Sequence, residues 1–352
     1  MMNSNIELDD YSDFAEVRVL TIPAKLAGDR LDAALATLFP EFSRSRLTNW
    51  IKEGLVTVDS KVLRPKDKVW GGEQITLQAQ PDPEETAFTA EKIPLDVVFE
   101  DASILVLNKP AGLVVHPGSG NWTGTLLNGL LFSYPELKTI PRAGIVHRLD
   151  KDTTGLMVVA RTLQAQNNLV QQLQARTVKR HYLAIAQGKL AGKGTIEAPI
   201  GRHPRERIKM AVVHTGKPAT THWRALEQFA THTLIECRLE TGRTHQIRVH
   251  MAHIGHPLAA DPVYGGKPRL ASIELNLALE DFHRQALHAR KLSLQHPLTG
   301  KTMSWKAPIP DDLNTLLHAL RADAGMSEED WGSEESWNEE DDGECEVIYV
   351  KE

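Results

Sequence analysis

Cysteine is nearly absent from this sequence: Cys237 and Cys345 are the two in 352 residues, and they lie far apart. That excludes a disulfide framework and makes a reducing cytoplasm the expected setting. No run of about 18 apolar residues occurs, so no membrane span is expected. The opening stretch, MMNSNIELDDYSDFAEV, has neither a basic segment nor an apolar core and does not read as a secretory leader. There is no internal repeat, no phosphate-binding P-loop and no dinucleotide fingerprint.

Charge of one sign is missing locally rather than globally. The formal net charge is −6. Residues 327–352 hold twelve acids against the single base Lys351, and residues 1–17 hold five acids and no base. What remains, 18–326, carries 39 basic and 29 acidic residues, or +10. A basic body between acidic ends suits a polyanionic partner, although an ordinary mixed surface with two solvated tails has the same composition.

Periodicity divides the chain into five parts. Residues 1–17 show no regular pattern and read as a disordered arm. Residues 18–77 read as a small module. In it Leu31, Leu35 and Leu38 fall at helical spacing before Pro40. Ser43 can cap a second helix that presents Leu47, Trp50 and Ile51 on one face and ends at Gly54. LVTVDSKVL reads as a hairpin about Asp59–Ser60, and QITLQ as a further strand. Residues 78–92, with two prolines and several acids, read as a linker. Residues 93–326 are rich in clustered strands (ILVLNK, GLVVH, GLMVVA, HYLAIAQG, HTLIECRLE, KLSLQHP) with a helix over Leu163–Thr177. Clustered strands without regular βαβ alternation predict an α+β fold with a mainly antiparallel central sheet. Residues 327–352 read as a disordered acidic tail.

Three segments carry the chemistry. LVLNKPAGLVVHPGSGN, residues 105–121, reads as two strands about a Lys109–Gly112 turn, with His116 structural or orienting rather than a ligand. In GIVHRLDKDTTGLMVVA, residues 144–160, the charges of His147 to Asp152 sit between two apolar runs, at a sheet edge where sites are usually built. In LETGRTHQIRVHMAHIGHPLAADPVYGG, residues 239–266, Arg243 and Arg248 flank His245 and Gln246. Four histidines, His245, His250, His253 and His256, invite a zinc reading, and the last three fall near one helical face. No HExxH-type pattern is present, and two nearby arginines would repel a cation, so no metal site is expected.

In the small module, Arg44, Arg46, Lys52, Lys61, Arg64, Lys66 and Lys68 are opposed by Glu53, Asp59 and Asp67 alone over residues 43–68. Arg44 and Arg46 lie in the first turn of the second helix, where cations oppose the helix dipole. That placement is easier to understand if they face phosphates. The pattern from RLDAALATLF through SRSRL and GLVTVDSKV to GGEQI resembles the S4-like RNA-binding domain.

Together the large-domain segments resemble the pseudouridine synthases of the large-subunit ribosomal RNA type. HRLDKDTTGLMVVA matches one family signature and TGRTHQIRVHMAHIGHP a second. The S4-like module ahead of them matches the synthase D-like branch, and the resemblance runs from about Arg18 to Pro308. It implies an isomerase with Asp150 as the catalytic nucleophile, Arg148 helping to displace the target nucleotide, Tyr182 packing on the flipped base, and Arg248 paired to the aspartate. Arg243, Arg44, Arg46 and Lys52 are the further candidates for RNA contact. The expected partner is large-subunit ribosomal RNA or its precursor particle. The expected state is a cytoplasmic monomer with no cofactor. The acidic extension after Met326 departs from the family pattern.

These residue types suit the reaction. Cutting the bond from the ribose anomeric carbon to the base nitrogen builds positive character on the sugar. A carboxylate can stabilise that charge, attack covalently or remove a neighbouring proton, and the sequence leaves all three open. A guanidinium partner keeps the carboxylate ionised. Two other readings compete. A non-catalytic S4-like RNA-binding or ribosome-assembly protein would not require the HRLD, Tyr182 and Arg248 set. A phosphotransferase is suggested by the likeness of HRLD to a kinase loop, but no DFG motif or glycine-rich nucleotide loop accompanies it.

Overall fold

The computed structural model describes residues 16–79, 87–118, 121–206, 209–266, 272–327 and 346–349. The chain forms two compact units, Met1–Thr86 and Ala87–Glu352.

The small unit packs two helices on a three-stranded antiparallel sheet. Its elements are β1 (Glu16–Thr21), α1 (Leu31–Leu38), α2 (Arg44–Lys52), β2 (Val56–Val58) and β3 (Gln74–Ala79), with sheet order β1-β3-β2. The helical spacing holds. Leu31 and Leu35 from α1 and Leu47, Trp50 and Ile51 from α2 are buried against Val56, Val58, Ile75 and Leu77. Burial of each such side chain contributes about 1.5–3 kcal/mol. The Ser43 hydroxyl accepts from Arg46 N at 3.3 Å and caps α2. Asp59 and Ser60 both take positive φ (48° and 63°), as a two-residue hairpin turn requires. The second arm of that hairpin does not continue, however. Lys61 makes one bridge to Val58, and β2 pairs with β3 instead.

The large unit is built on a ten-stranded sheet. Its strands are β4 (Val97–Glu100), β5 (Ile104–Lys109), β6 (Thr154–Ala160), β7 (Lys179–Gln187), β8 (Lys193–Glu197), β11 (Thr220–Gln228), β12 (His232–Leu239), β13 (Leu287–Gln295), β14 (Thr302–Lys306) and β15 (Glu346–Tyr349). A separate pair, β9 (Ile200–Arg202) and β10 (Met210–Val212), lies apart from it. The helices are α3 (Leu126–Ser133), α4 (Leu163–Gln174), α5 (Gln246–His253), α6 (Ile273–Asp281) and α7 (Asp311–Asp323). The main path runs β4-β5-β6-β13-β7-β12-β11-β8. The fold is α+β with a mostly antiparallel central sheet. β13 with β6 and β14 with β15 are the parallel pairs, and β13 also pairs antiparallel with β7 and β14.

Alternation along the strands assigns each face its core. In β6, Met157 and Val159 pack towards α3, whereas Leu156, Val158 and Ala160 pack towards α4. In β7, Tyr182, Ala184 and Ala186 share the α3 face, whereas Leu183 and Ile185 meet Leu313, Leu316 and Leu317 of α7. That period of two fixes Tyr182 on one particular face. Gly155 has φ +111°, and a Cβ there would lie 2.3 Å from Ala289 O, so the parallel approach of β6 to β13 requires glycine.

Several boundaries depart from the periodicity. The arm read over 1–17 becomes β1 at Glu16, because VRVL continues the alternation backwards; residues 1–15 lie outside the described residues. Of the linker read over 78–92, residues 80–86 lie outside the described residues, and both flanks are ordered. β3 runs to Ala79, and the chain from Ala87 onward docks on α3, where Asn128 Nδ2 donates to Ala87 O at 3.1 Å and Thr89 O at 2.8 Å. The tail read over 327–352 contains β15, whose EVIY residues pair in parallel with β14; residues 328–345 lie outside the described residues. GLVVH is not a strand. Val114 makes a single bridge to Thr125, and the loop after the Lys109–Gly112 turn meets the N-terminus of α3, where Leu126 N donates to Val114 O at 2.8 Å. The apolar run GIV likewise makes one bridge, Ile145 to Val159, rather than a strand.

Candidate active site

Asp150 lies in the loop that leads into β6, and side chains from distant parts of the chain hold that loop. Lys109 is buried at the end of β5, and its ammonium donates to Pro110 O at 2.7 Å, Leu113 O at 2.9 Å and Lys151 O at 2.8 Å. Burial pulls this amine down to about 8, with the charges of Asp152 and Asp150 acting the other way. Arg284 Nη1 donates to Asp152 O at 3.3 Å, and Gln285 Nε2 to Thr153 Oγ1 at 3.0 Å. Thr153 N closes the turn on Asp150 O at 3.1 Å. His147 Nε2 accepts from Val158 N at 3.0 Å, and burial, aided by the charge of Arg180, holds its imidazole neutral at about 3.

α5 brings Arg248 to the aspartate. Arg248 Nη1 donates to Asp150 Oδ2 at 3.0 Å, while its Nε and Nη2 grip Asp261 at 2.7 and 2.9 Å. Asp261 Oδ1 also accepts from Val263 N at 2.9 Å and Tyr264 N at 3.0 Å. Burial opposes the charges of Arg248 and Asp261. For Arg248, the bonds to Asp261 and the charges of Asp261 and Asp150 outweigh burial and hold the guanidinium above its ordinary range. For Asp261, burial is likewise outweighed by Arg248 and the backbone donors, and the carboxyl is held below the usual carboxylate range. The two carboxylates are not equivalent. The Asp261 side chain is 0% exposed and the Asp150 side chain 17%, so Asp150 is the one that meets the cleft. Two carboxylates on one guanidinium leave one negative charge in excess, on the side of the cleft.

The loop ahead of α5 is fixed by Gln246. Its Oε1 accepts from Thr241 Oγ1 at 2.7 Å and Arg243 N at 3.0 Å, and its Nε2 donates to Thr220 O at 2.9 Å and Thr221 Oγ1 at 3.0 Å. Every polar position of that amide is used. His245, in the left-handed region at φ 57°, places Nε2 3.9 Å from Asp150 Oδ1 and Nδ1 2.9 Å from Tyr264 Oη. The Tyr264 hydroxyl accepts from Met210 N at 2.9 Å. Tyr182 comes from β7. Burial pushes its phenol up, Arg180 opposes and Asp150 adds, so it presents a neutral ring.

Asp150, Tyr182, Arg248, Arg148 and Arg243 line one cavity of about 610 Å³. Arg148 and Arg243 are exposed at its wall. Arg44, Arg46 and Lys52 belong to the small unit, where the first two have partners of their own. Arg44 Nη2 lies 3.2 Å from Asp32 Oδ1, and the Arg46 guanidinium stacks 5.2 Å from the Phe42 ring centroid and 4.7 Å from that of Trp50. These interactions give the two cations of the α2 first turn a local reason to be there. The histidines of the third segment are dispersed. His250 bonds Thr221 Oγ1 and Ala198 O at 2.9 Å each, and His256 Nδ1 bonds Gln187 O at 2.8 Å. Among the described residues no group of three or more His, Cys, Asp or Glu is placed to hold a metal ion.

The periodicity and motifs do not single out Asp261, Lys109 or Tyr264 as site residues, and they offer His245 as a zinc candidate rather than as a neighbour of Asp150. Asp261 lies in the run LAADPVYGG. An aspartate between an apolar stretch and a proline turn was the available signal, but its bonds to Arg248 depend on α5 folding back across 13 residues.

An RNA pseudouridylate synthase family model matches residues 103–253, and an S4 domain model matches residues 29–75. The chain is similar to the ribosomal large subunit pseudouridine synthase D of Neisseria meningitidis serogroup B, at 56% identity over 98% of this chain and 97% of that one. It is also similar to the protein of that name from Pseudomonas aeruginosa, at 57% identity over 87% of this chain and 96% of that one. Among solved structures, Human RNA Pseudouridylate Synthase Domain Containing 4 superimposes with a TM-score of 0.51 at 26% identity, covering 64% of this chain and 93% of that one.

Proposed function

From the premise that the chain belongs to the RNA pseudouridylate synthase family, we propose that it isomerises uridine to pseudouridine in large-subunit ribosomal RNA, with Asp150 as the nucleophile. The observation that carries this reading is the Asp150–Arg248–Asp261 cluster, open to the cleft at Asp150 alone of its two carboxylates. Its fixed dipoles and charges need no reorganisation when the glycosidic bond polarises. Tyr182 offers a face on which the detached base can turn before it rejoins through carbon. Arg148, at the cleft wall, is suited to the place vacated when the target nucleotide leaves its stack. Arg243, and in the small unit Arg44, Arg46 and Lys52, supply phosphate contacts that offset the few kcal/mol of unstacking.

The relatives' names carry the choice of RNA, and the S4 match supports an RNA-gripping role for the small unit. No helix among the described residues is long and apolar enough to cross a membrane. We take the protein to work as a monomer in the cytoplasm, in keeping with its two cysteines and the burial of Cys237. The test is to map pseudouridine in ribosomal RNA from cells that lack the protein, complemented by the wild type or by Asp150→Asn. The expected result is sites restored by the wild type alone. Restoration by both would remove Asp150 from the chemistry, and restoration by neither would remove the activity.

A further inference from the structure

Among the described residues of the large unit, six lysine and arginine side chains are buried: Lys109, Arg180, Arg248, Arg284, Arg290 and Arg321. Among the described residues, five have partners. Lys109 holds three carbonyls, Arg248, Arg284 and Arg321 grip carboxylates, and Arg290 bonds Ala307 O. Arg180 is the exception. It is 8% exposed, its Nε is shielded from solvent with no hydrogen bond, and no carboxylate pairs with it among the described residues.

An unpaired guanidinium in the interior is destabilising by several kcal/mol, and a fold rarely retains one without a use for it. The surroundings indicate the use. Arg180 lies on β7 two residues before Tyr182, hence on the same face and about 6.6 Å along the strand. It lines both the cavity that holds Asp150 and a second groove of about 620 Å³, at the point where the two meet. Arg176, Lys179 and Lys193 are on the walls of that groove. Its acids are already engaged: Glu236 with His181, Arg224 and Arg238, and Glu240 with Arg176 and His222. Space for the guanidinium is left by Gly242, where a Cβ would come within 2.9 Å of Arg180 Nη1.

We propose that Arg180 is a subsite for a backbone phosphate next to the target uridine, placed where the RNA strand passes from the catalytic cleft into the second groove. The assignment rests on the reading of Asp150 and Tyr182 as the sites for sugar and base. If those two take the target nucleoside, the group one strand-step away is its phosphate. The planar fork of a guanidinium fits two phosphate oxygens.

The test uses the full-length protein and a ribosomal RNA fragment bearing a mapped site, with single neutral methylphosphonate linkages scanned through the flanking nucleotides. At one linkage the wild type should lose about 10- to 100-fold in affinity. Arg180→Met should show that loss on unmodified RNA, with a salt slope of log K flatter by about 0.7, and no further loss at that linkage. Its melting temperature should be equal or higher, because a buried unpaired charge has gone. Gly242→Ala should reproduce part of the affinity loss. A scan with no linkage at which wild type and Arg180→Met differ overturns the subsite. So does a variant that binds RNA normally but melts lower, which marks a structural arginine. Equal thermal protection of the wild type by inorganic phosphate alone would assign the site to a free anion and overturn it as well. Uridine conversion is scored in the same samples. An inactive wild type sinks the parent reading, whereas an active one with no Arg180-dependent linkage sinks the subsite alone.

Discussion

In the small unit the Arg44 side chain stays 55% exposed even while it touches Asp32, whereas in the large unit the Arg248 side chain is 5% exposed and carries a carboxylate at each end. The same residue type does different work at these two burials. An exposed cation is screened by salt and its ion pair is worth little, about 0–1 kcal/mol, so it remains available to exchange Asp32 for a phosphate. A buried cation cannot exchange partners without stranding a charge, so it fixes geometry. The small unit therefore has the chemistry of a grip and the large unit that of a rigid site.

The sharpest way to break this contrast is at Asp150. Asp150→Asn keeps the volume and removes the charge. Single-turnover isomerisation should fall by at least about 10³-fold while RNA affinity stays within a few-fold. A parallel loss of binding would mean that the cleft, and not the exposed bases, supplies the grip. Next in size is Arg248→Ala, which strands Asp150 and the fully buried Asp261. The large unit should lose about 3–5 kcal/mol in denaturant unfolding. Arg248→Lys should also lose most activity, because one ammonium cannot serve both carboxylates in the plane that the fork serves. A fully active Arg248→Ala would shift the partnership to Arg243.

Acid offers a third separation. All fifteen histidines fall within Ala87–Glu352, and His147 and His288 are held neutral by burial, pushed down to about 3. The unfolded chain takes up those protons near about pH 6.5. Their stabilisation is therefore complete above that pH and declines as pH drops towards 3, by up to about 1.36 kcal/mol per pH unit for the buried His288 and by less for the half-buried His147. On acidification from pH 7 to about 4.5, amide-exchange protection should weaken in the large unit and hold in the small one. His288→Gln should flatten the slope by one proton, and an unchanged slope would remove His288 as its source. The smallest effect belongs to the surface. Replacing Arg44 and Lys52 together by Gln should reduce the salt slope of RNA binding by about 0.7 for each phosphate that these two side chains neutralise, with the saturated single-turnover rate preserved. A slower saturated rate would show that the small unit helps to assemble the site.

Local rules made some of this legible and non-local packing hid the rest. The cap at Ser43, the face shared by Leu47, Trp50 and Ile51, and the paired positive φ at Asp59 and Ser60 depend on neighbours within a few residues, so spacing was enough to find them. Asp150, Arg248 and Tyr182 were found through motif resemblance, and the structure does bring them into one cavity. GLVVH has the apolar run of a strand but cannot pair beside β5, because β4 and β6 already flank it. Asp261 and Arg180 were unreadable for a different reason. One is defined by a partner on α5 and the other by lacking one among the described residues, and neither condition has a period along the chain.

The Asp150 loop is also a record of chain order. Residues 150–153 are steadied by Arg284 and Gln285, more than 130 positions later, and β6 reaches its parallel neighbour β13 at His288. The small unit, by contrast, closes all its sheet pairings within its own 86 positions. At about 5–20 residues per second of synthesis, the grip can be complete while the aspartate loop waits about 7–27 seconds for its supports. Pairings of such long sequence separation also form slowly after release. A nascent chain would thus be able to hold RNA before it could alter it, and the fold delays catalysis until its C-terminal third has been made.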